Sequence, residues 1–341
     1  MVLERNFQTA RVEPVYGPGP ASKATMSHKW IPFFLTLLLP GGTLAADLHR
    51  VARGGTSYVA ARNDGRAYRS GAGATSWSVQ TTGSSAALHG AAYLSGLFVV
   101  VGDGGRVSRS SDGGLGWSDE TSSTSVTLRD AIDHGSYLVG VGDAGTTIRR
   151  LSTVAVWDTT LSLGGASLYG VASNGTILVA VGDQGTVLRS TDQGLSWARQ
   201  QLPAAPALRG VEAQGATFVA VGLGGVIRRS TDSGLGWSSV ASPTGQDLLD
   251  VTADATRFVA VGAQGTILNA VGSGSSGTWF EVDSPRAVTL RGVIFDGTQF
   301  LTTGDEDVVE RSVDATTWLQ VALETVRWGD VKRLFRGTSV R

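Results

Sequence analysis

The stretch LYGVASNGTILVAVGDQGTVLRSTDQGLSW, from Leu168 to Trp197, decides the fold of this 341-residue chain. Seven copies of it occur, and successive copies begin forty residues apart, except that the last begins after forty-two. The copies open at Leu48, Leu88, Leu128, Leu168, Leu208, Leu248 and Leu290, and they close at Trp77, Trp117, Trp157, Trp197, Trp237, Trp279 and Trp318. A strand-like repeat of this length is typical of a β-propeller blade. We therefore predict an all-β, seven-bladed β-propeller of four-stranded antiparallel blades over residues 47–321.

Each copy contains four strand signals, called A to D here. Strand A is the Leu-x-Gly/Asp-Val segment, for example Leu208–Val211, and strand B is an apolar run such as Phe218–Gly222. The continuous hydrophobicity of strand B indicates that both of its faces are buried between neighbouring blades. A tight Gly-x-x-Gly turn, as at 182–185, leads into strand C at 186–190, and strand D starts at the closing Trp. The closing Trp is predicted to pack as a buried aromatic between adjacent sheets.

A second motif connects strands C and D, and Ser110-Ser-Asp112-Gly-Gly114-Leu-Gly116-Trp117 is one instance. Residues 190–197 and 230–237 repeat it. We expect the Asp carboxylate to accept backbone N–H bonds across the turn, the Gly to take a left-handed conformation and the Trp to anchor the hairpin. Blade 1 lacks the Asp, blade 3 lacks the Ser, Asp and Gly, blade 6 has a Gly/Ser run at 272–277, and blade 7 is one residue short.

This motif resembles the Asp-box, or bacterial neuraminidase repeat, with Gly or Ser in place of its Thr. The fuller pattern, Phe-Val-Ala-Val-Gly-x-x-Gly-Thr-Ile-Leu-Arg-Ser-Thr-Asp-x-Gly-x-x-Trp, is similar to the propeller repeats of photosystem II assembly and stability factors and their relatives in non-photosynthetic bacteria. The resemblance covers Asp47 to about Val321. It implies a propeller fold and, for the photosynthetic members, a non-enzymatic assembly factor that binds a partner protein. In the Asp-box family the boxes are structural turns remote from the chemistry.

Composition excludes several classes of function. The net charge of −1 gives no argument for nucleic-acid binding. The absence of Cys excludes disulfides, thiolate catalysis, Cys-ligated zinc and a lipoprotein anchor. The four His residues, at 28, 49, 89 and 134, show no metal-ligand spacing. The acidic turn Gly304–Asp307 with Glu310 matches no calcium loop, so we interpret it as a charged turn. We predict no metal and no cofactor.

The N-terminal region reads as a targeting segment. His28 and Lys29 form a basic start, residues 30–39 are apolar, and Thr43-Leu44-Ala45 is a small-x-small cleavage site. We predict a signal peptide at 26–46, an over-extended gene prediction at 1–25, and a periplasmic or extracellular protein with no stable membrane span after cleavage. An uncleaved anchor is the alternative. The tail, 322–341, either covers the seam between blades 7 and 1 or is a frayed basic terminus.

No catalytic motif is recognised. Sialidases resemble one another in an arginine triad and a Tyr nucleophile with a Glu partner. An Arg recurs before the C–D segment in six of the seven copies, which indicates a role in building the repeat; these residues are Arg69, Arg109, Arg149, Arg189, Arg229 and Arg311. No Tyr of the mature chain has a nearby Glu in sequence. The blades are nearly equal in length, so no long insertion builds a cleft, and a flat recognition surface is favoured.

The candidate site is the residue that follows each opening Leu, because strand A lines the central channel of a propeller. These residues are His49, His89, Arg129, Tyr169, Arg209, Leu249 and Arg291. We predict that the six polar ones gather around one channel mouth and bind a partner, since Arg and Tyr anchor interfaces. The B–C turns open on the same face and carry Asp64, Asp103, Asp143, Asp183 and Asp305. The alternative is that these are ordinary solvated channel residues.

The sequence therefore predicts a monomeric, non-catalytic scaffold that docks an acidic or extended segment of a protein partner on the channel-mouth face. The second hypothesis is a sialidase-like glycoside hydrolase or a glycan-binding protein. Convergent Arg, Tyr and carboxylate groups in a pocket would favour the glycan hypothesis, and a flat charged annulus would favour protein docking.

Overall fold

The computed structural model describes residues 46–162, 165–203, 205–271 and 278–321. Four sequence predictions lie outside these ranges: the segment 1–25, the signal peptide up to residue 45, the blade 6 hairpin at 272–277 and the tail 322–341. No helix that could cross a bilayer is found among the residues the structure describes.

The described chain forms seven four-stranded sheets and contains no α-helix. Blade 1 consists of β1 (Leu48–Gly54), β2 (Ser57–Arg62), β3 (Ala67–Ser70) and β4 (Trp77–Gln80), and blade 2 of β5 (Leu88–Leu94), β6 (Leu97–Gly102), β7 (Val107–Ser110) and β8 (Ser118–Glu120). Blade 3 consists of β9 (Leu128–His134), β10 (Tyr137–Gly142), β11 (Thr146–Leu151) and β12 (Asp158–Ser162), and blade 4 of β13 (Leu168–Ser173), β14 (Leu178–Gly182), β15 (Thr186–Ser190) and β16 (Ala198–Gln201). Blade 5 consists of β17 (Leu208–Gln214), β18 (Thr217–Gly222), β19 (Ile227–Ser230) and β20 (Ser238–Val240). Blade 6 consists of β21 (Leu248–Ala253), β22 (Arg257–Gly262), β23 (Ile267–Val271) and β24 (Trp279–Val282). Blade 7 consists of β25 (Leu290–Phe295), β26 (Phe300–Gly304), β27 (Val309–Ser312) and β28 (Leu319–Gln320). The predicted fold class is confirmed.

Each copy of the repeat forms one whole blade, an antiparallel meander whose strand order follows the chain. Because neighbouring strands alternate in direction, the B–C turns lie at one end of every blade, together with the start of strand A. We call that end of the propeller the mouth face. The A–B and C–D turns lie at the other end, which we call the hairpin face.

The core lies between neighbouring blades. All residues of Phe218–Gly222 are buried, as the apolar run predicts. Phe218 and Ala220 belong to a cluster that also holds Val179 and Val181 of β14, whereas Val219 and Val221 belong to a cluster with Phe258 of β22. The two faces of the strand therefore contribute to the cores shared with the blades on either side. Strand A leaves little room for side chains, since a Cβ on Gly210 would lie 2.8 Å from the Cα of Asp250 in the next blade.

Polar contacts connect the last blade directly to the first. The hydroxyl of Tyr58 in β2 donates to Asp296 over 2.5 Å, and the fully buried Arg62 lies 3.1 Å from a carboxylate oxygen of Asp307. The backbone N–H of Asp307 donates to Ala46. Contacts between β1 and β25 then place blades 7 and 1 side by side and complete the ring.

Candidate functional site

The residues that follow the opening Leu meet at the mouth of the channel, as the sequence predicts. Together with Arg50 they line a basin of about 200 Å³; the residues around it are His49, His89, Arg129, Tyr169, Arg209, Leu249 and Arg291. All seven come from the second position of a strand A, one per blade. We call this set the mouth ring. Its geometry brings three arginines, two histidines and one tyrosine to a single concave surface, with Arg50 as a fourth guanidinium.

Most polar members of the mouth ring contact the first residue of the B–C turn of their own blade, fourteen residues later. Arg129 donates two hydrogen bonds to Asp143, over 2.9 and 2.8 Å. The Nε2 of His89 lies 2.7 Å from Asp103, and Arg291 contacts Asp305 in the same way. These carboxylates surround the basin and neutralise part of its positive charge, so the face is basic near the axis and acidic further out.

Two aromatic members of the ring are held neutral by their surroundings. Burial lowers the pKa of His49 to about 3, and the positive neighbours His89, Arg291, Arg129 and Arg50 contribute to the shift. The His49 and His89 rings meet edge to face with centroids 5.1 Å apart. Burial also raises the pKa of Tyr169, and Arg209 stacks on its ring with 3.8 Å between the guanidinium carbon and the ring centroid. Both side chains therefore offer uncharged hydrogen-bonding groups at neutral pH.

Beneath the mouth ring, one arginine spans the channel. Arg50 contacts Asp250 of blade 6, lies 3.5 Å from Asp130 of blade 3, and donates to the carbonyl of Arg209 in blade 5. Each aspartate also accepts the backbone N–H of a strand A in the next blade, from Val171 to Asp130 and from Val293 to Asp250. A single guanidinium thus connects blades 1, 3, 5 and 6 across the channel and forms the floor of the basin.

Burial perturbs the acids of this channel cluster, which consists of Arg50, Asp130, Glu212 and Asp250. It raises the pKa of Glu212 to about 7 and that of Asp250 to about 6, while Arg50 counteracts part of both shifts. Burial raises the pKa of Asp130 as well. Sequence reasoning missed the cluster. Its signal was present in the third position of strand A, where Gly occurs in four copies but Arg50, Asp130 and Asp250 occur in the others.

The C–D hairpins behave as the motif predicts. Asp112 accepts the backbone N–H of Leu115 and Gly116 at 3.0 and 2.9 Å, and the Trp117 indole donates to the carbonyl of Gly114. Gly114 has a positive φ of 88°. These backbone bonds, led by the one from Gly116, lower the pKa of Asp112. Asp112 is therefore fully engaged in the turn.

The recurring arginine of strand C joins blades 1, 3 and 4 to the blade that follows each of them. Arg69 of blade 1 donates to the carbonyl of Gly113, which follows the hairpin Asp of blade 2, and Arg189 donates to Ser233 of blade 5 in the same way, both over 2.8 Å. Arg149 reaches Gln193 over 3.4 Å. Asn269, at the same position in blade 6, reaches Ala315. We call these contacts the blade latches, and they account for the repetition of this Arg.

Blade 3, whose hairpin lacks the Asp, has a different junction. Glu120 of blade 2 lies 3.0 Å from Arg109, contacts the buried Arg150, and accepts the Trp157 indole N–H over 2.9 Å. A buried ion cluster therefore replaces the missing latch between blades 2 and 3.

The acidic turn of blade 7 has its carboxylates spread over separate partners. Asp305 contacts Arg291, Glu306 contacts Arg286, and Asp307 contacts Arg62. Within the described ranges, no group of three His, Asp or Glu side chains is placed to hold a metal ion.

No known family model matches the chain, and neither does any curated protein. Solved propellers do match. The chain is similar to a structure described as YCF48 bound to D1 peptide, at 15% identity and a TM-score of 0.66, over 79% of this chain and 92% of that one. It is similar to YCF48 from Cyanidioschyzon merolae at 14% identity and a TM-score of 0.65, over 82% and 98%. It is also similar to the WD40 propeller domain of Doa1 at 12% identity and a TM-score of 0.63, over 79% and 93%. At these identities the likeness establishes the fold alone.

Proposed function

We propose that this chain is a non-catalytic propeller scaffold that docks an acidic or extended segment of a protein partner on its mouth face. The observation that carries the proposal is the convergence of Arg50, Arg129, Arg209 and Arg291 on one basin of about 200 Å³. A basin of this size fits a side chain or a chain terminus better than a drug-sized ligand, which needs several hundred Å³. Arg and Tyr are also the residues that most often anchor interfaces.

The comparisons support this proposal by analogy. One similar propeller is described as bound to a D1 peptide, which shows that the fold can present a peptide-binding face. The repeat pattern supports the finer assignment, a divergent Asp-box propeller related to the photosystem II assembly factors. We further propose that the predicted signal peptide, 26–46, delivers it to the periplasm or the cell exterior as a monomer.

One observation favours the glycan hypothesis as a second candidate. Arg129, Arg209 and Arg291 converge near Tyr169, which is the combination of groups that resembles a sialidase site. Two of these arginines already contact carboxylates of their own blade, and the tyrosine packs against Arg209 rather than a Glu. Protein docking therefore accounts for the geometry better.

The test is quantitative affinity capture from the native envelope with the full chain as bait. A ring variant carries His89→Ala, Arg129→Ala, Arg209→Ala and Arg291→Ala. We expect the ring variant to recover at least about tenfold less of each partner than the wild type does, because the loss of one desolvated charged contact alone lowers affinity about tenfold.

The matched control changes the opposite face. Leu115, Leu195 and Leu235 are exposed on three C–D hairpins, and their replacement by Ser should leave recovery unchanged. Loss of partner in this hairpin variant with retention in the ring variant would contradict the proposal. The glycan hypothesis would be supported instead if the wild type released the fluorophore from an aryl sialoside and the ring variant did not.

A further inference from the structure

Among the arginines of the mouth ring, the pairing with an Asp of the B–C turn has one exception. In blades 2, 3 and 7 the ring residue contacts an Asp at the first position of the B–C turn; the pairs are His89 with Asp103, Arg129 with Asp143, and Arg291 with Asp305. In blade 4 the same position holds Asp183, which neighbours Tyr169 as a hydrogen-bond partner and a negative charge. In blade 5 it holds Leu223, so Arg209 has no acid there.

Arg209 is consequently the ring arginine whose charge is not neutralised by its own blade. Among the residues that the structure describes, no carboxylate oxygen lies within 4.0 Å of its guanidinium nitrogens, and its buried Nε has no hydrogen-bond partner. Its planar face packs on Tyr169 at 3.8 Å, which fixes the guanidinium in the lining of the basin.

The neighbouring sector is apolar. Blade 6 has Leu249 in the mouth ring and Ala263 at the first turn position, and Leu223 lies at the same turn position of blade 5. All three are half-buried and therefore present part of their surface. Blades 5 and 6 thus place an uncompensated guanidinium beside aliphatic side chains, whereas blades 3 and 7 place Arg–Asp ion pairs and blade 2 places a His–Asp contact.

We propose that Arg209 anchors one carboxylate of the docked segment and that Leu223 and Leu249 take the aliphatic side chain next to it. The ligand class is a peptide carrying a carboxylate adjacent to an aliphatic residue. The carboxylate belongs either to an acidic side chain or to a C-terminus, and the test distinguishes the two. This inference rests on the proposed function and specifies its anchor.

The sharpest test restores the missing acid. Leu223→Asp puts at blade 5 the residue that blades 2, 3, 4 and 7 already carry, so the fold tolerates it, and we expect it to pair with Arg209 and occupy the anchor. Ala263→Asp is the matched control, since it adds the same charge at the same turn position beside Leu249, where there is no arginine to neutralise. Arg209→Gln removes the anchor itself and keeps the result interpretable if either Asp variant is unstable.

The probes are three fluorescein-labelled hexapeptides, measured by anisotropy with the full chain at low salt. One is Gly-Gly-Ala-Glu-Leu-Ala with an amidated C-terminus, the second is Gly-Gly-Ala-Ala-Gln-Leu with a free C-terminus, and the third is the second peptide amidated. We expect one of the first two to bind. Its affinity should fall about tenfold in Leu223→Asp and Arg209→Gln, and by less than about threefold in Ala263→Asp.

Equal losses in the two Asp variants would show a general charge effect and overturn the inference, as would no binding of either acid-bearing peptide to the wild type. Retention of the captured partner by the ring variant would overturn the proposed function itself. If the ring variant loses the partner while Leu223→Asp keeps it at wild-type affinity, the proposed function survives and only the Arg209 anchor is wrong.

Discussion

The outer junctions between blades and the central channel of this propeller are built on different principles. At the outer junctions one contact is repeated, from a strand C side chain to the carbonyl after the next hairpin Asp, in four of the seven blades. In the channel the central contact occurs once, because Arg50 of blade 1 meets acids from blades 3, 5 and 6. Repeated contacts join neighbouring blades into the ring, and the contacts that occur only once determine the particular structure of the channel floor and mouth.

Breaking the channel cluster should have the largest effect. Arg50→Met leaves Asp130 and Asp250 buried without their counter-charge, and removal of one partner from a buried ion pair costs about 3–5 kcal/mol. Urea unfolding followed by tryptophan fluorescence measures the loss. The triple variant Arg50→Met, Asp130→Asn, Asp250→Asn should recover part of it, because it removes the stranded charges but leaves each Asn one oxygen for the two backbone N–H groups that the Asp accepts. A single variant within about 0.5 kcal/mol of wild type would show that the cluster does not hold the channel together.

A buried acid at the outer junction sharpens the comparison, because it has no ion-pair partner within 4.0 Å among the residues that the structure describes, and Arg286 acts on it only from a greater distance. Glu310 in β27 is completely buried, and both carboxylate oxygens lie about 3 Å from the hydroxyl of Ser284, which itself donates to the carbonyl of Arg286. A hydroxyl has one proton to donate, so Glu310 is best accommodated when it is protonated. Burial accordingly raises its pKa to about 7, although the Ser284 contact opposes the shift.

The sign of the pH effect follows from this. Between the unfolded pKa of 4.5 and about 7 the folded state holds the proton more tightly, so this group's contribution to stability falls as pH rises through that window. Glu310→Gln should therefore stabilise the protein at pH 8 by about 1–2 kcal/mol and flatten its stability between pH 5 and 8. Melting temperatures at several pH values check this. Glu281→Gln, on the exposed side of β24, is the control and should change neither the stability at pH 8 nor the pH dependence of stability. An unchanged pH profile in Glu310→Gln would show that the carboxyl is not held protonated.

The repeat made the outer parts predictable and left the channel unpredicted. The opening Leu and the closing Trp recur in all seven copies and the hairpin Asp in four, so the strand positions and the Asp-bearing turns follow from one copy. The burial of the Trp does not, because Trp117, Trp197 and Trp237 are half-buried and the other four are buried. The mouth ring was also predictable, since a position that varies while its neighbours repeat indicates a surface. Arg50 and Asp250 were not, because they are far apart in sequence and meet only when the ring closes. The latch partners were missed for a related reason, since each contact joins two copies rather than lying within one.

Removal of a blade latch should have the smallest effect on stability, and it tests one specific contact. Arg189→Ala removes a 2.8 Å hydrogen bond from a guanidinium to the carbonyl of Ser233 and should cost about 1 kcal/mol, at the low end for charged donors because the junction is partly solvated. Arg311→Ala is the matched control. It occupies the same position in blade 7, but the blade 1 hairpin lacks the Asp, and no acceptor for Arg311 occurs among the residues the structure describes. Both variants lose the same aliphatic stem, so the difference between their urea midpoints isolates the latch. Equal midpoints would mean that the repeated arginine stabilises the ring through its stem alone.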